Sequence, residues 1–286
     1  MKNILDHFSE TVLSPQLNQN LLKSLEVVNK FFPTTGTFDI LKKVYIWGYP
    51  LEYSLSIFFQ EHISSLCNRK IIYSPFRGDE ISLKNILKND LCVGSNVTMP
   101  FKIKALSLCD QLTDVALKAG SVNTIYKESG NIIGDNTDGA GLYNWMTIKN
   151  KLKNKIQITG NGGSARAIAS FFSQKGIAVT VCARSQKGWE KNFGKFISIE
   201  DRDHSVTTIN TLPFTISGDD ILDINYKYGA VSETACGMLA CQGALSFEKW
   251  FQEPVPIEIF VKLAFLHARA HSNRFLFRIL STGTHS

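Results

Sequence analysis

One stretch of the sequence constrains the fold more than any other. Residues 155–185 read KIQITGNGGSARAIASFFSQKGIAVTVCARS. An apolar strand is followed by a glycine turn, then by a helix of small and apolar residues that stops at Gly176, and then by a second apolar strand. One βαβ unit accounts for all of it, because two parallel strands need a crossover helix between them. The stretch therefore predicts a Rossmann-like α/β domain.

The glycine turn indicates a dinucleotide site. Gly160, Gly162 and Ala165 stand at G-x-G-x-x-A spacing, directly after the strand and at the start of the helix. The first glycine permits a tight turn, the second lets backbone N–H groups approach a pyrophosphate, and the alanine lets helix and strand pack closely. A glycine-rich turn without a ligand is the alternative. The predicted cofactor-binding residues are Gly160, Asn161, Gly162, Gly163, Ser164, Ala165, Arg184 and Ser185.

The end of the second strand favours NADP over NAD. It offers Ala183, Arg184 and Ser185 where an NAD-specific fold would place Asp or Glu for the ribose hydroxyl. A guanidinium can pair with a 2′-phosphate through two hydrogen bonds, whereas a carboxylate would repel it. The alternative is that Arg184 is an ordinary surface arginine.

The rest of the chain predicts a second α/β unit. Three short apolar runs, VYIWG, KIIYSPF and CVGSNV, leave room for helices between them, and SVNTIYKESGNIIGDNTDG predicts two strands about a turn at 127–130. We expect a two-domain α/β protein. Its substrate-binding domain would cover residues 1–143, with 1–43 as a helical N-terminal extension, and be completed by the C-terminal helices of 237–286, while the NADP-binding Rossmann-like domain would cover 144–236.

Composition and charge exclude several other classes. The net charge of +6 suits an anionic ligand, but the lysines are scattered apart from a cluster at 149–155, so we predict no nucleic-acid partner. No stretch approaches the roughly 18 apolar residues of a membrane span, and the first residues lack a signal-peptide core. We therefore expect a cytoplasmic protein, a monomer or homodimer, that acts on a small molecule.

Cysteine and histidine spacing predicts no metal site. The six cysteines include no C-x-x-C pair and are expected to be buried, reduced thiols. His267 and His271 stand at i and i+4, but a third ligand is not evident.

Three polar clusters precede the glycine turn, each too short and too polar to be core. They are Ser54 with Ser56, the segment 96–102 (NVTMPFK), and the segment 136–138 (NTD). Their hydroxyl, amide, ammonium and carboxylate groups suit a polyol carboxylate. A ketone reduced by hydride also needs a proton, which a Lys/Asp pair can donate. The alternatives are that the serines and Asp138 cap helices, that the asparagines satisfy turns, and that the lysine is simply exposed.

Six motifs resemble those of the shikimate dehydrogenase family in order and spacing. They are GYPLEYSLS, GSNVTMPFK, AGSVNT, GDNTDGAGL, GNGGSARA and GMLACQGALSFEKW, which cover about residues 44–185 and 237–251. The resemblance implies that 3-dehydroshikimate is reduced to shikimate with NADPH, on the route to chorismate and aromatic amino acids. It implies a catalytic pair, Lys102 and Asp138, and substrate-binding roles for Ser54, Ser56, Thr98, Asn123, Tyr226 and Gln242, with the two serines at the substrate carboxylate.

The chain also departs from the family in three places. Tyr53 and Ile57 stand where members usually have His and Pro, and residues 209–214 (INTLPF) replace a stretch of asparagine, small residues and glycine. Only ten residues separate Tyr226 from Gly237, where the family normally fits a further helix and strand. Two alternatives therefore stay open: a quinate or aminoshikimate dehydrogenase, and a catalytically impaired member that acts as a ligand-binding or regulatory protein.

Overall fold

The computed structural model describes most of the chain beyond its first forty residues. The described ranges are 41–51, 54–67, 69–186, 194–218, 220–224, 226–227, 230–258 and residue 261. The predicted N-terminal helical extension, as far as residue 40, lies outside them, as do Tyr53, His267 and His271. The expected limit of that extension, residue 43, falls within a strand. A strand already begins at Lys42, because Lys42 and Lys43 pair with a neighbouring strand.

Six strands form a mixed sheet in the order β2-β1-β3-β5-β6-β4. They are β1 (Lys42–Trp47), β2 (Ile71–Phe76), β3 (Cys92–Val97), β4 (Gln111–Leu112), β5 (Thr124–Glu128) and β6 (Asn131–Asp135). β5 runs antiparallel to both β3 and β6, so β3 and β6 point the same way. The predicted hairpin is confirmed: Ser129 and Gly130, with φ of 50° and 83°, form the two-residue turn between β5 and β6.

Six helices accompany the strands in the described ranges. They are α1 (Leu55–Leu66), α2 (Glu80–Leu87), α3 (Asp114–Ala119), α4 (Asp138–Ile148), α5 (Gly163–Gln174) and α6 (Glu233–Phe251), with short 3-10 helices at Lys104–Leu108 and Ile199–Asp201. Alternation along β1 directs Val44 and Ile46 to one face of the sheet and Trp47 to the other. The first face is covered by α1 and α6, and the second by α2, α3 and the first 3-10 helix.

The second sheet is wholly parallel, with strand order β11-β10-β7-β8-β9. Its strands are β7 (Lys155–Thr159), β8 (Ala178–Cys182), β9 (Lys195–Ile197), β10 (Thr208–Asn210) and β11 (Ile221–Asp223). β7, α5 and β8 form the predicted βαβ unit, and Gly176, with φ of 78°, follows the helix as expected. The predicted Rossmann-like sheet is confirmed.

Both predicted limits of the cofactor domain fall inside helices. α4 runs through 143/144 because Leu142, Trp145 and Met146 continue its buried face. α6 begins four residues before 237, because the Ser232 side chain accepts a hydrogen bond from the Ala235 N–H and caps the helix there. A short antiparallel pair, β12 (Tyr226–Lys227) and β13 (Ala230–Val231), occupies the segment before that cap.

α4 lies between the two sheets and packs against both α5 and α6. The close approach of α4 to these two helices depends on glycine. A Cβ on Gly139 would lie 2.5 Å from the Ala167 carbonyl oxygen, and one on Gly141 would lie 2.7 Å from the Gln242 backbone nitrogen. One continuous apolar cluster therefore includes residues from both sheets and from α4.

All six cysteines are free thiols, as predicted, and five are buried. Cys109 is only half-buried, because it ends the 3-10 helix at Lys104–Leu108 near the surface. Within the described part of the chain, no helix is both long and apolar enough to cross a membrane.

Candidate active site

The ammonium of Lys102 and the carboxylate of Asp138 meet at one edge of the mixed sheet. The Lys102 Nζ lies 2.5 Å from the Asp138 Oδ2, and the two side chains are only 14% and 4% exposed. Lys102 lies in the turn after β3, and Asp138 begins α4 just after β6. Because β3 and β6 point the same way, their carboxyl ends bring these two turns together. Two charged groups buried to this extent stabilise each other, because removing either one would leave the other charge buried without a partner to offset its desolvation.

Asn123 holds the other oxygen of the Asp138 carboxylate. Its Nδ2 donates to the Asp138 Oδ1 at 2.7 Å, and its Oδ1 accepts from the Thr137 backbone N–H at 2.8 Å. The carboxylate can only accept and the N–H can only donate, so the orientation of the Asn123 amide is determined. Asn136 satisfies backbone groups of the turn instead. Its Oδ1 accepts from the Asp138 N–H at 3.0 Å, and its Nδ2 donates to the Ser121 carbonyl.

Gln242 reaches this cluster from α6. Its Oε1 lies 3.3 Å from the Asn123 Nδ2 and 3.4 Å from the Thr137 Oγ1, while its Nε2 donates to the Leu239 carbonyl at 3.1 Å. The side chain thus has the backbone partner of a structural amide and also faces the site. The glycine at 141 permits this approach of α6 to α4.

A buried chain of hydrogen bonds behind Asn123 was not predicted from the sequence. Tyr73 donates to the Asn96 Oδ1 at 2.7 Å, and the Asn96 Nδ2 donates to the Ser246 Oγ at 3.1 Å. Ser246 and Thr124 share a hydrogen bond of 2.7 Å, and Thr124 donates to the Asn123 Oδ1 at 2.8 Å. Polar residues on strands at core positions, such as Asn96 and Thr124, were the available signal.

Ser56 lies at the far end of that chain. It is half-buried on α1, near the Tyr73 hydroxyl, whose pKa is raised by burial and lowered in part by the nearby Ser56 side chain. The Ser54 and Thr98 side chains, also half-buried, make no hydrogen bond to the Lys102–Asp138 pair within the described residues. The side chain of Tyr226, the remaining predicted substrate residue, lies outside the described residues.

The glycine turn adopts the conformation that its sequence predicts. Gly160 has φ of 104°, and a Cβ there would lie 2.5 Å from the Thr211 Oγ1. Gly162 precedes α5 without a side-chain cap, and a Cβ on it would meet no heavy atom within 4 Å. The start of α5 therefore has no side-chain cap and open space beside Gly162, two features that a phosphate-binding helix start requires.

The outer part of the predicted cofactor site lies at the end of β8. The Asn161 Nδ2 donates to the Ser185 carbonyl at 2.9 Å and ties the turn to that end. Arg184 and Ser185 are exposed, and Ala165 is fully buried in α5 as its packing role requires. The exposure of Arg184 is compatible with a phosphate contact and with an ordinary surface arginine.

The turn also touches the charged pair directly. A Cβ on Gly163 would lie 2.9 Å from the Lys102 Cβ. Ser164, the second residue of α5, accepts from the Lys102 Nζ at 3.0 Å and donates to the Asp138 Oδ2 at 3.1 Å. Ser164 was predicted only as a cofactor residue, and its contact with the pair was missed.

The divergent segment 209–214 folds against the same turn. Asn210 accepts from the Thr159 hydroxyl at 2.8 Å and donates to the Phe214 carbonyl at 2.8 Å, and the Thr211 hydroxyl donates to the Thr159 carbonyl at 2.6 Å. Asn210 and Thr211 therefore fix the loop of this segment to the end of β7. Among the described residues, no group of three or more His, Cys, Asp or Glu side chains could hold a metal ion.

Two family descriptions match parts of this chain. "Shikimate dehydrogenase substrate binding domain" matches residues 46–125, and "Shikimate 5'-dehydrogenase C-terminal domain" matches residues 237–264. The shikimate dehydrogenase (NADP(+)) of Helicobacter acinonychis is 35% identical over 156 residues, which are 52% of this chain and 57% of that protein. The match thus spans little more than half the length of that relative. The shikimate dehydrogenase (NADP(+)) of Methanococcus vannielii is 30% identical over 255 residues, 71% of this chain and 89% of that protein.

Solved structures share the fold. A chorismate mutase/shikimate 5-dehydrogenase fusion protein from Clostridium acetobutylicum superposes with a TM-score of 0.70 at 23% identity, over 82% of this chain and 100% of that one. Shikimate 5-dehydrogenase from Thermus thermophilus, in complex with NADP(H) and shikimate, gives a TM-score of 0.68 at 22% identity, over 80% and 99% of the two chains. At these identities the likeness establishes the fold alone.

Proposed function

We propose that this chain, which belongs to the shikimate dehydrogenase family, reduces 3-dehydroshikimate to shikimate with NADPH. The observation that carries the proposal is the Lys102–Asp138 pair, which is largely buried beside the glycine turn of a parallel sheet. A proton donor next to a dinucleotide site is what reduction of a ketone by hydride requires.

The residues at the turn fit NADP. The open space at Gly162, the uncapped start of α5 and the left-handed Gly160 supply a cradle of N–H groups for a pyrophosphate. Arg184, exposed at the end of β8, would pair with the 2′-phosphate, and Ser185 would stand beside it. When bound, NADPH supplies the hydride that adds to the carbonyl carbon.

The charged pair would act on the reacting oxygen. As the carbon–oxygen double bond becomes a single bond, the Lys102 ammonium stabilises the negative charge on oxygen and transfers a proton to it, which yields the alcohol. Asp138 accepts a hydrogen bond from that hydroxyl and keeps the ammonium in place. Asn123 holds the Asp138 carboxylate so that its other oxygen stays directed at Lys102.

The remaining substrate contacts are assigned by the family motifs and by their places in the fold. Ser54 and Ser56, at the start of α1, would hold the substrate carboxylate, and Thr98, Gln242 and Tyr226 would contact the ring hydroxyls. The case for Ser56 is its place near Tyr73, from which a chain of hydrogen bonds leads to Asn123.

The two sheets support a two-domain organisation, with domain limits at the ends of helices rather than at 143 and 237. One unit would contain the mixed sheet with α6, and the other the parallel sheet with α5. We further propose a cytoplasmic enzyme, monomeric or homodimeric, whose only substrates are small molecules.

Substitution of the pair tests the proposal. We expect the purified protein to reduce NADP+ with shikimate, followed as absorbance of NADPH. Lys102→Ala and Asp138→Asn should each lower kcat by roughly 10²–10⁴-fold, the usual contribution of a general acid or base. Circular dichroism and the unfolding midpoint check that each variant is folded. Arg77→Ala, a surface change on the segment between β2 and α2, serves as the control and should leave the rate unaltered.

The same assay decides between this proposal and its alternatives. Turnover with quinate or an aminoshikimate but not with shikimate would change the substrate and keep the enzyme class. If calorimetry shows binding of NADP+ and shikimate by a folded protein without any turnover, the chain is a ligand-binding member instead.

A further inference from the structure

Ser164 lies at the meeting point of the charged pair and the nucleotide turn. Its hydroxyl is 3.0 Å from the Lys102 Nζ and 3.1 Å from the Asp138 Oδ2, and those two atoms are 2.5 Å apart. The three groups form a closed triangle of hydrogen bonds, in which every member contacts the other two.

Only one assignment of protons satisfies this triangle. The Lys102 ammonium can only donate and the ionised Asp138 carboxylate can only accept, whereas a hydroxyl has one proton and two lone pairs. Ser164 therefore accepts from Lys102 and donates to Asp138. Its hydroxyl completes a charge-assisted link between the two ions, and such links are stronger than those between neutral groups.

The backbone around Ser164 is also held close to the Lys102–Asp138 pair. Gly163 is packed against the Lys102 side chain so closely that a Cβ would lie 2.9 Å from the Lys102 Cβ. The Ser121 hydroxyl donates to the Gly163 carbonyl at 3.0 Å and accepts from the Asn136 Nδ2 at 2.9 Å. Asn136 in turn holds the Asp138 N–H. Two routes, through Lys102 and through Asn136, thus join the start of α5 to the pair.

We propose that Ser164 is a positioning residue that couples occupancy of the nucleotide turn to the arrangement of Lys102 and Asp138. The inference rests on the proposed function of that turn. A dinucleotide phosphate bound at the first turn of α5 would act on the same helix end that carries Ser164. The hydroxyl would transmit its position to the ammonium, so a seated cofactor would keep the proton donor aligned.

Ser164→Ala and Ser164→Thr separate the hydroxyl from the space that it fills. In Ser164→Ala we expect kcat to fall about tenfold, the loss of one hydrogen bond to a charged group, with KM for shikimate and for NADP+ changed less than about twofold. Ser164→Thr keeps the hydroxyl and should restore most of the rate. Ser170→Ala is the matched control, because it removes a hydroxyl of α5 that contacts Gln174 instead of the pair.

Two kinetic results would overturn the inference. If Ser164→Ala lowers KM for shikimate and leaves kcat unchanged, the hydroxyl competes with substrate for the pair. If kcat and both KM values match those of Ser170→Ala, the contact is packing alone.

A second readout does not depend on turnover. The ε-methylene resonance of Lys102, in protein labelled with ¹³C-lysine and assigned with Lys102→Arg, should shift when NADP+ is added to the wild type and to Ser164→Thr. In Ser164→Ala most of that shift should be lost, although calorimetry shows NADP+ bound. An equal shift in all three proteins refutes the coupling. If calorimetry detects no NADP+ binding even to the wild type, the proposed function of the turn fails, and the coupling fails with it.

Discussion

At the scale of single residues, the site is defined by groups that must be buried together. Asp138 accepts hydrogen bonds from both Lys102 and Asn123, and the buried carboxylate and ammonium would not be tolerated at this depth without such partners. The cysteines are the opposite case. Five are buried and Cys109 is half-buried, and none has a charged partner at hydrogen-bond distance among the described residues. They remain neutral thiols, because ionisation inside the protein has no compensation.

Burial of the thiols makes stability depend on alkaline pH. Burial raises the pKa of Cys67, Cys109 and Cys241 to about 12, and that of Cys182 and Cys236 to about 11, from 9.0. A raised folded-state pKa means that stability is complete below pH 9.0 and declines above it, because only the unfolded chain then ionises.

Cys241→Ala measures one such contribution. The difference in free energy of unfolding between the wild type and this variant should shrink by at most about 1.4 kcal/mol for each pH unit above 9. Urea unfolding under reducing conditions at pH 8 and pH 10 gives both values, and a difference that is the same at both pH values would contradict the assigned burial. Cys109→Ala is the comparison at a half-buried thiol.

At the scale of elements, glycines determine how closely the helices around the site pack. Gly237 of α6 lies against the buried Trp145 ring of α4, and a Cβ there would be 2.1 Å from the ring carbon Cδ2. Together with Gly141, this glycine sets the separation of α4 and α6. That separation places Gln242 beside Asn123.

Gly237→Ala should therefore destabilise the protein, although alanine is the better helix former. In an exposed helix the change would stabilise by about 1 kcal/mol. Here we expect a loss of about 1–3 kcal/mol, since the tryptophan ring must move in a closely packed core. Gly243→Ala in the same helix, where the Cβ would approach only the end of the Gln60 side chain at 3.0 Å, should lose less. Chemical denaturation of both variants checks the order, and an equal loss in the two would argue against the packing explanation.

At the scale of the whole molecule, the site belongs to neither sheet alone. Lys102 and Asp138 extend from the mixed sheet, Ser164 from the parallel one, and α4 packs on helices of both. A cofactor bound at the glycine turn would add contacts to the folded state only, so it should raise the unfolding temperature.

NADP+ and NAD+ should differ in that stabilisation. At about one hundred times its Kd, a ligand adds about 2.7 kcal/mol to the free energy of unfolding. At equal concentration we expect NADP+ to raise the Tm of the wild type more than NAD+ does, because we propose that Arg184 pairs with the 2′-phosphate. Arg184→Ala should narrow the difference without changing the Tm of the ligand-free protein, since the side chain is exposed. If the two cofactors stabilise the variant as unequally as the wild type, Arg184 is a surface arginine only.

Much of the local structure follows directly from the sequence. The βαβ unit at 155–182, the hairpin around Ser129 and Gly130, and the alternating strands and helices upstream are all confirmed, because periodicity and turn chemistry act over a few neighbouring residues. The expected limits at 43, 143 and 237 all fall inside strands or helices, each for its own local reason. Strand pairing, a continued buried face and a serine cap extended elements past the point where their pattern weakens.

By itself, the sequence determined which elements form, that the glycine turn lies between a strand and a helix, and which residue types carry the chemistry of Lys102 and Asp138. Only the tertiary structure decided that Ser164 lies on that pair, 62 positions from Lys102, and that Asn96 reaches Ser246 across 150 positions. Hydrogen bonds at such separations depend on how helices pack on sheets. Local propensities and turn residues do not encode that packing, whereas burial of shared apolar surface does.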